Sequence, residues 1–119
     1  PIAIGGGHDI AYANFNGIKE AVKNISENKI GIINFDAHFD LRAVETQPNS
    51  GTPFHQILTE NNDVAYFAIG IQQQSNPKEL FDIAAQKKVS YVSNFDCETF
   101  SDALRGKLDT FIKEIDYLY

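Results

Sequence analysis

Continuous apolar runs alternate with helix-spaced apolar residues along the whole chain, and no other feature limits its fold so sharply. Ile30-Gly31-Ile32-Ile33-Asn34-Phe35 is apolar at nearly every position, the pattern of a strand covered on both faces. Val64 to Ile71 is a second such run and Val89 to Val92 a third, both expected as buried strands. Pro1-Ile2-Ala3-Ile4 is expected to be a buried strand too, stopped by Gly5-Gly6-Gly7. Phe15, Ile18, Val22 and Ile25 recur at spacings of three and four, which predicts a helix. Thr52 and Pro53 open a short helix running to about Glu60, and Asn76 with Pro77 opens another through about Lys87. A last amphipathic helix carries Phe100, Leu104, Leu108, Phe111 and Ile115, and Asp116-Tyr117-Leu118-Tyr119 reads as a strand beginning. Such alternation with short connections predicts an α/β fold, a parallel sheet with helices on both faces. Ligands of these sheets sit beyond the carboxyl ends of the strands.

Size and charge narrow the function classes. The 119 residues allow one domain, and 43% hydrophobic with 22% charged residues is the balance of a folded chain. A net charge of −6, with Lys and Arg scattered, excludes a broad basic surface for nucleic acid. No apolar run approaches the ~20 residues of a membrane helix, and no signal peptide opens the chain, so a cytoplasmic protein is expected. Cys97 is the single cysteine, which leaves no internal disulfide; without a partner cysteine or nearby His it is expected to be inert. The start at Pro1 without methionine, and an end inside an element, suggest a segment of something longer.

Chemistry concentrates at two strand ends. Asp36-Ala37-His38-Phe39-Asp40 follows the Ile30–Phe35 run directly. In extended backbone Asp36, His38 and Asp40 would point the same way. Two carboxylates and an imidazole are ligands for manganese or zinc; the plainer alternative is an N-cap Asp and a loop His that fall together. Gly5-Gly6-Gly7-His8 also follows an apolar run, and its glycines permit a tight turn that would bring His8 to the same sheet edge. A dinucleotide fingerprint fails here, because Ile10 stands where its last glycine belongs. Asp9, Asp96 and Glu98 are read as helix-start or loop acids.

Gly-Gly-Gly-His at 5–8 together with Asp-Ala-His-Phe-Asp at 36–40 resembles the ureohydrolase family, the arginase and agmatinase relatives. The resemblance implies a three-layer α/β/α fold and a dinuclear manganese site that hydrolyses guanidino or amidino C–N bonds. It implies that His8 and Asp40 bind one manganese, His38 the other, and Asp36 both. A third family motif, Ser-x-Asp-x-Asp, would add two aspartates, and a later Glu would hold the substrate's cationic group. Neither lies within the 119 residues, so the domain is expected to be partial at both ends and inactive alone.

Departures from the arginase pattern bear on substrate. Asp40-Leu41-Arg42 and Asn49-Ser50-Gly51-Thr52-Pro53-Phe54 look most like family members that cleave N-formimidoyl-L-glutamate to L-glutamate and formamide, in histidine degradation. Arginase- and agmatinase-type members carry a proton-shuttle His where this chain has Ser50. Arg42 stands where arginase has an Asn that contacts the substrate's α-carboxylate. A guanidinium there suits a substrate with two carboxylates, although a surface arginine in a polar loop is the plain alternative. His55 is the weak candidate for a replacement shuttle, set against a solvated helix residue. The competing functions are an agmatinase or guanidinobutyrase releasing urea, a silent metal-binding relative or regulatory module, and a receiver-like domain. A silent relative has no need of four metal ligands, and a receiver has no need of His8 or His38. By the resemblance, a homo-oligomer acting on a small amidine is expected.

Overall fold

The computed structural model describes residues 2–25 and 29–119. Its sheet is built around β1 (Ile30–Phe35), which pairs in parallel with β2 (Ala65–Ile71) on one side and β4 (Tyr117–Leu118) on the other. The strand β3 (Ser90–Ser93) adds to the far side of β2, so four parallel strands run in the order β3-β2-β1-β4. Strand alternation sends Ile30 and Ile32 of β1, with Tyr66 and Ala68 of β2, to one face. There they meet α1 (Ile10–Val22), α2 (Pro53–Glu60) and α3 (Lys78–Gln86) through Phe15, Phe54, Ile57, Leu80 and Ala84. Ile33, Phe67 and Ile69 point to the other face, where α4 (Asp102–Lys113) covers them with Leu104 and Phe111. The chain is therefore a three-layer α/β/α arrangement, with β1 and β2 apolar on both faces because both faces are covered.

Local chemistry sets several of the boundaries. Ser101 caps α4 by accepting from the Leu104 N–H at 3.2 Å. Thr52 stands at the N-cap position of α2 before Pro53, but its hydroxyl bonds to Asn49 and Gln56 instead of capping. β2 carries a bulge against β3 between Ile69 and Ile71. Gly70 occupies it at φ +97, and the extra residue returns Ile71 to the face of Tyr66 and Ala68.

Four expectations need correction. Ile2–Ile4 is not a buried strand: it has no ladder partner among the described residues, and Ile2 and Ile4 are 91% and 92% exposed. Pro1, the start of that run, lies outside the described residues. The third strand is an edge strand in which only Val92 is buried; Val89 precedes it. Ile25 lies beyond the end of α1 and is exposed. Phe100 precedes α4 and is also exposed, with the Arg105 guanidinium 5.3 Å from its ring centre.

Candidate metal centre

β1 delivers the first acid of the site. Its ladder with β2 continues for one residue, as the Asp36 N–H donates to the Ile69 carbonyl at 3.0 Å. The chain then turns, with Asp36 Oδ1 accepting from the His38 N–H at 3.0 Å. Asp40 sits in the left-handed region at φ +49, which a short polar side chain tolerates better than most. Residues 36–40 are thus not extended, and the alternation expected of them does not apply. A side-chain-stabilised turn gathers Asp36 and Asp40 instead.

His8 arrives from the glycine turn that precedes α1. Gly5 and Gly6, at φ +111 and +69, make the turn that side chains disfavour, and His8 follows just before α1. Its Nδ1 lies 2.7 Å from Asp40 Oδ2 and 3.2 Å from Asp36 Oδ2. On the opposite side of the same carboxylate, His38 Nδ1 lies 3.4 Å from Asp36 Oδ1. One donor atom each from His8, Asp36 and Asp40 falls within 4.8 Å of the others. Phe54 meets the His8 ring edge-on at 5.2 Å and stacks on Tyr66 at 4.5 Å, which fixes the imidazole from behind.

The electrostatics favour a cation. Burial raises the Asp40 carboxyl above its ordinary range, and the neighbouring Asp36 charge raises it further; His8 opposes both. Two partly buried carboxylates facing one another are short of positive charge, and with a converging imidazole they form a fitting donor set for a divalent metal.

Three buried polar residues that the sequence reading passed over hold this loop. Asn76 accepts from the Phe39 N–H at 3.0 Å and donates to the carbonyls of Ala37 and Gln72, both at 2.8 Å. Tyr66 donates to the Phe39 carbonyl at 3.1 Å and accepts from Asn34 at 3.0 Å. Burial, and after it the Asp40 and Asp36 charges, push the Tyr66 phenol up, so it remains a hydroxyl donor. Asn34 was visible as the one polar side chain in an apolar strand, a sign of a buried hydrogen bond. In the sequence Asn76, next to Pro77, signals only a helix start.

The remaining candidates distribute unevenly. His38, Asp40, Arg42, Ser50, Gly51 and Leu80 line a small cleft of about 160 Å³, so Arg42 and Ser50 border two of the candidate ligands. The Arg42 N–H donates to the Gly51 carbonyl at 2.9 Å, tying the two loop ends together. His55 lies on α2, where partial burial and then Lys87 hold its imidazole below the ordinary value. Among the described residues it hydrogen-bonds to none of His8, Asp36, His38 or Asp40. Cys97 is half-buried beside the α4-side core, its thiol 3.4 Å from the Asn94 carbonyl. Asp9 occupies the N-cap position of α1 without a capping bond, and Asp96 accepts from Ser93 at 2.8 Å. Glu98 closes the short turn after β3.

The fold and site define an α/β/α protein of parallel sheet with a candidate metal-binding cluster at its carboxyl edge, where such sheets hold their ligands. Within that class the chain belongs to the Arginase family, whose model matches residues 1–119. It is 43% identical to formimidoylglutamase of Nocardia farcinica, over 100% of this chain and 38% of that protein. Formimidoylglutamase of a Geobacillus species is also 43% identical, over 99% of this chain and 36% of its own length. The crystal structure of formimidoylglutamase from Bacillus subtilis superposes with a TM-score of 0.79, covering 96% of this chain and 35% of that one. At 23% identity that likeness speaks for the fold. The chain spans less than two fifths of the length of these relatives. Among the described residues no helix is long and apolar enough to cross a membrane.

Proposed function

We propose that this chain carries the first metal-binding portion of a formimidoylglutamase, a dinuclear manganese hydrolase. Its reaction takes N-formimidoyl-L-glutamate and water to L-glutamate and formamide. The observation that carries the reading is the convergence of His8, Asp36 and Asp40, with His38 against the second oxygen of Asp36, in a chain so similar to formimidoylglutamases. His8 and Asp40 are assigned to one manganese, His38 to the other, and Asp36 to both; an oxygen of Asp36 facing each imidazole supports that division. When bound, the metals supply Lewis-acid charge and a water acidic enough to attack at neutral pH.

The chain's own residues then have distinct tasks. Asp36 and Asp40 neutralise the cations, and the Phe54–Tyr66 stack keeps His8 aimed at them. Arg42, which lines a small cleft together with Asp40, holds a substrate carboxylate by a paired, charge-assisted contact. Ser50 lines the same cleft and stands in the place of a shuttle histidine. His55 is the weak alternative carrier of that proton, from α2. A third motif with two further aspartates would complete the ligand set from outside these 119 residues, and the segment alone is expected to be inactive. The same reading makes the whole protein a cytoplasmic homo-oligomer that acts on a small amidine, with no nucleic-acid or membrane partner.

The test is a product assay on the manganese-loaded, full-length protein. N-formimidoyl-L-glutamate, arginine, agmatine and guanidinobutyrate are compared, with formamide and urea measured separately. Formamide from the first substrate alone is expected. Urea from a guanidino substrate would keep the metal site and overturn the specificity. No turnover of any of the four would favour a catalytically silent relative.

A further inference from the structure

We propose that Asn76 and Tyr66 are positioning residues that clamp Phe39 from both ends of its backbone and so set the geometry of the metal site; this rests on the metal reading above. Phe39 stands between His38 and Asp40, so its two peptide groups govern where both side chains go. Its N–H is taken by Asn76 Oδ1 at 3.0 Å and its carbonyl by the Tyr66 hydroxyl at 3.1 Å. Asn76 also holds the Ala37 carbonyl at 2.8 Å, so one side chain grips the backbone on both sides of His38. Tyr66 is held in turn by Asn34 at 3.0 Å.

Burial makes the clamp rigid. Asn76 and Tyr66 are 5% and 2% exposed, and the Phe39 ring is fully buried, edge-on to Phe81 at 5.1 Å and to Tyr91 at 5.2 Å. Water cannot readily replace bonds so enclosed, and two successive peptide groups, the first held at its N–H and the next at its carbonyl, keep their planes. Asp40, at φ +49, is the neighbour that most needs such support. Among the described residues neither Asn76 nor Tyr66 hydrogen-bonds to the side chains of His8, Asp36, His38 or Asp40, so each acts through the loop.

The experiment is a manganese titration of the full-length protein, following the free ion by electron paramagnetic resonance. Wild type is compared with Asn76→Ala, Tyr66→Phe and, as a control on the far face of the sheet, Leu104→Ala. Residues that orient metal ligands from behind cost about 10–100-fold in affinity when lost. Asn76→Ala and Tyr66→Phe are expected to weaken binding by that much. Leu104→Ala should lower the melting temperature and leave the affinity unchanged. Tyr66→Phe keeps the ring stacked on Phe54 and carries the test should Asn76→Ala not fold. Wild-type affinity in the folded clamp variants, or equal weakening in Leu104→Ala, overturns the clamp alone. Failure of wild type to bind manganese overturns the metal reading and the clamp with it.

Discussion

Asp36 is the residue on which the site turns, because each of its oxygens faces a different imidazole. Asp36→Asn keeps the shape and removes the charge, and on the proposed function it is expected to cut turnover by the full-length protein about a hundredfold or more while the fold persists. Turnover on N-formimidoyl-L-glutamate, read beside the far-ultraviolet circular dichroism spectrum, checks this. Near-normal activity would contradict the role. Arg42 makes a different prediction: Arg42→Ala should raise KM by about tenfold or more and change kcat little, since a carboxylate grip serves ground and transition states alike. A fall in kcat at constant KM would mean that Arg42 acts on the reacting centre instead. His8, Asp36, His38 and Asp40 were legible because each lies within a short motif at the end of an apolar run. Asn76 and Tyr66 were not, because their partners at Phe39 are 37 and 27 residues away, and only folding brings such residues together.

At the scale of elements, the strand ends do the positioning. The bulge at Gly70 lies directly beside the Asp36 backbone, and a Cβ there would sit 3.4 Å from the Asp36 carbonyl oxygen. Gly70→Ala would force a side chain into φ +97 and is expected to destabilise the full-length protein by about 1–2 kcal/mol. The urea midpoint measures it, and an unchanged midpoint would show that the bulge relaxes at no cost. Runs such as Ile30–Phe35 announced β1 and β2 because interior parallel strands are apolar on both faces. The edge strand departs from expectation: Tyr91 and Val92 suggest burial, but Ser90 and Ser93 flank them and among the described residues β3 has a neighbour on one side only. Ile2–Ile4 shows the same limit, since apolar composition predicts a strand and pairing decides whether one forms.

The whole molecule is a sheet with unequal coverage. Among the described residues three helices cover one face and one helix the other, and Phe35, on the α4 side at the carboxyl end of β1, is 77% exposed. The candidate metal cluster stands at that same carboxyl edge, where loops from Gly5–His8, Asp36–Asp40 and Asn49–Gly51 meet. This convergence could be anticipated in outline, because parallel α/β sheets gather their loops at one edge. The turn that achieves it, with Asp36 accepting from His38, could not, because it depends on departures from extended backbone. The central claim is that Asp36 joins two metal ions at this edge. Its most direct test is the electron paramagnetic resonance spectrum of the manganese-loaded, full-length protein beside a count of bound ions. Two manganese ions per chain with an exchange-coupled signal, lost in Asp36→Asn, is the predicted result. One ion per chain with an uncoupled signal, unchanged in that variant, would contradict it.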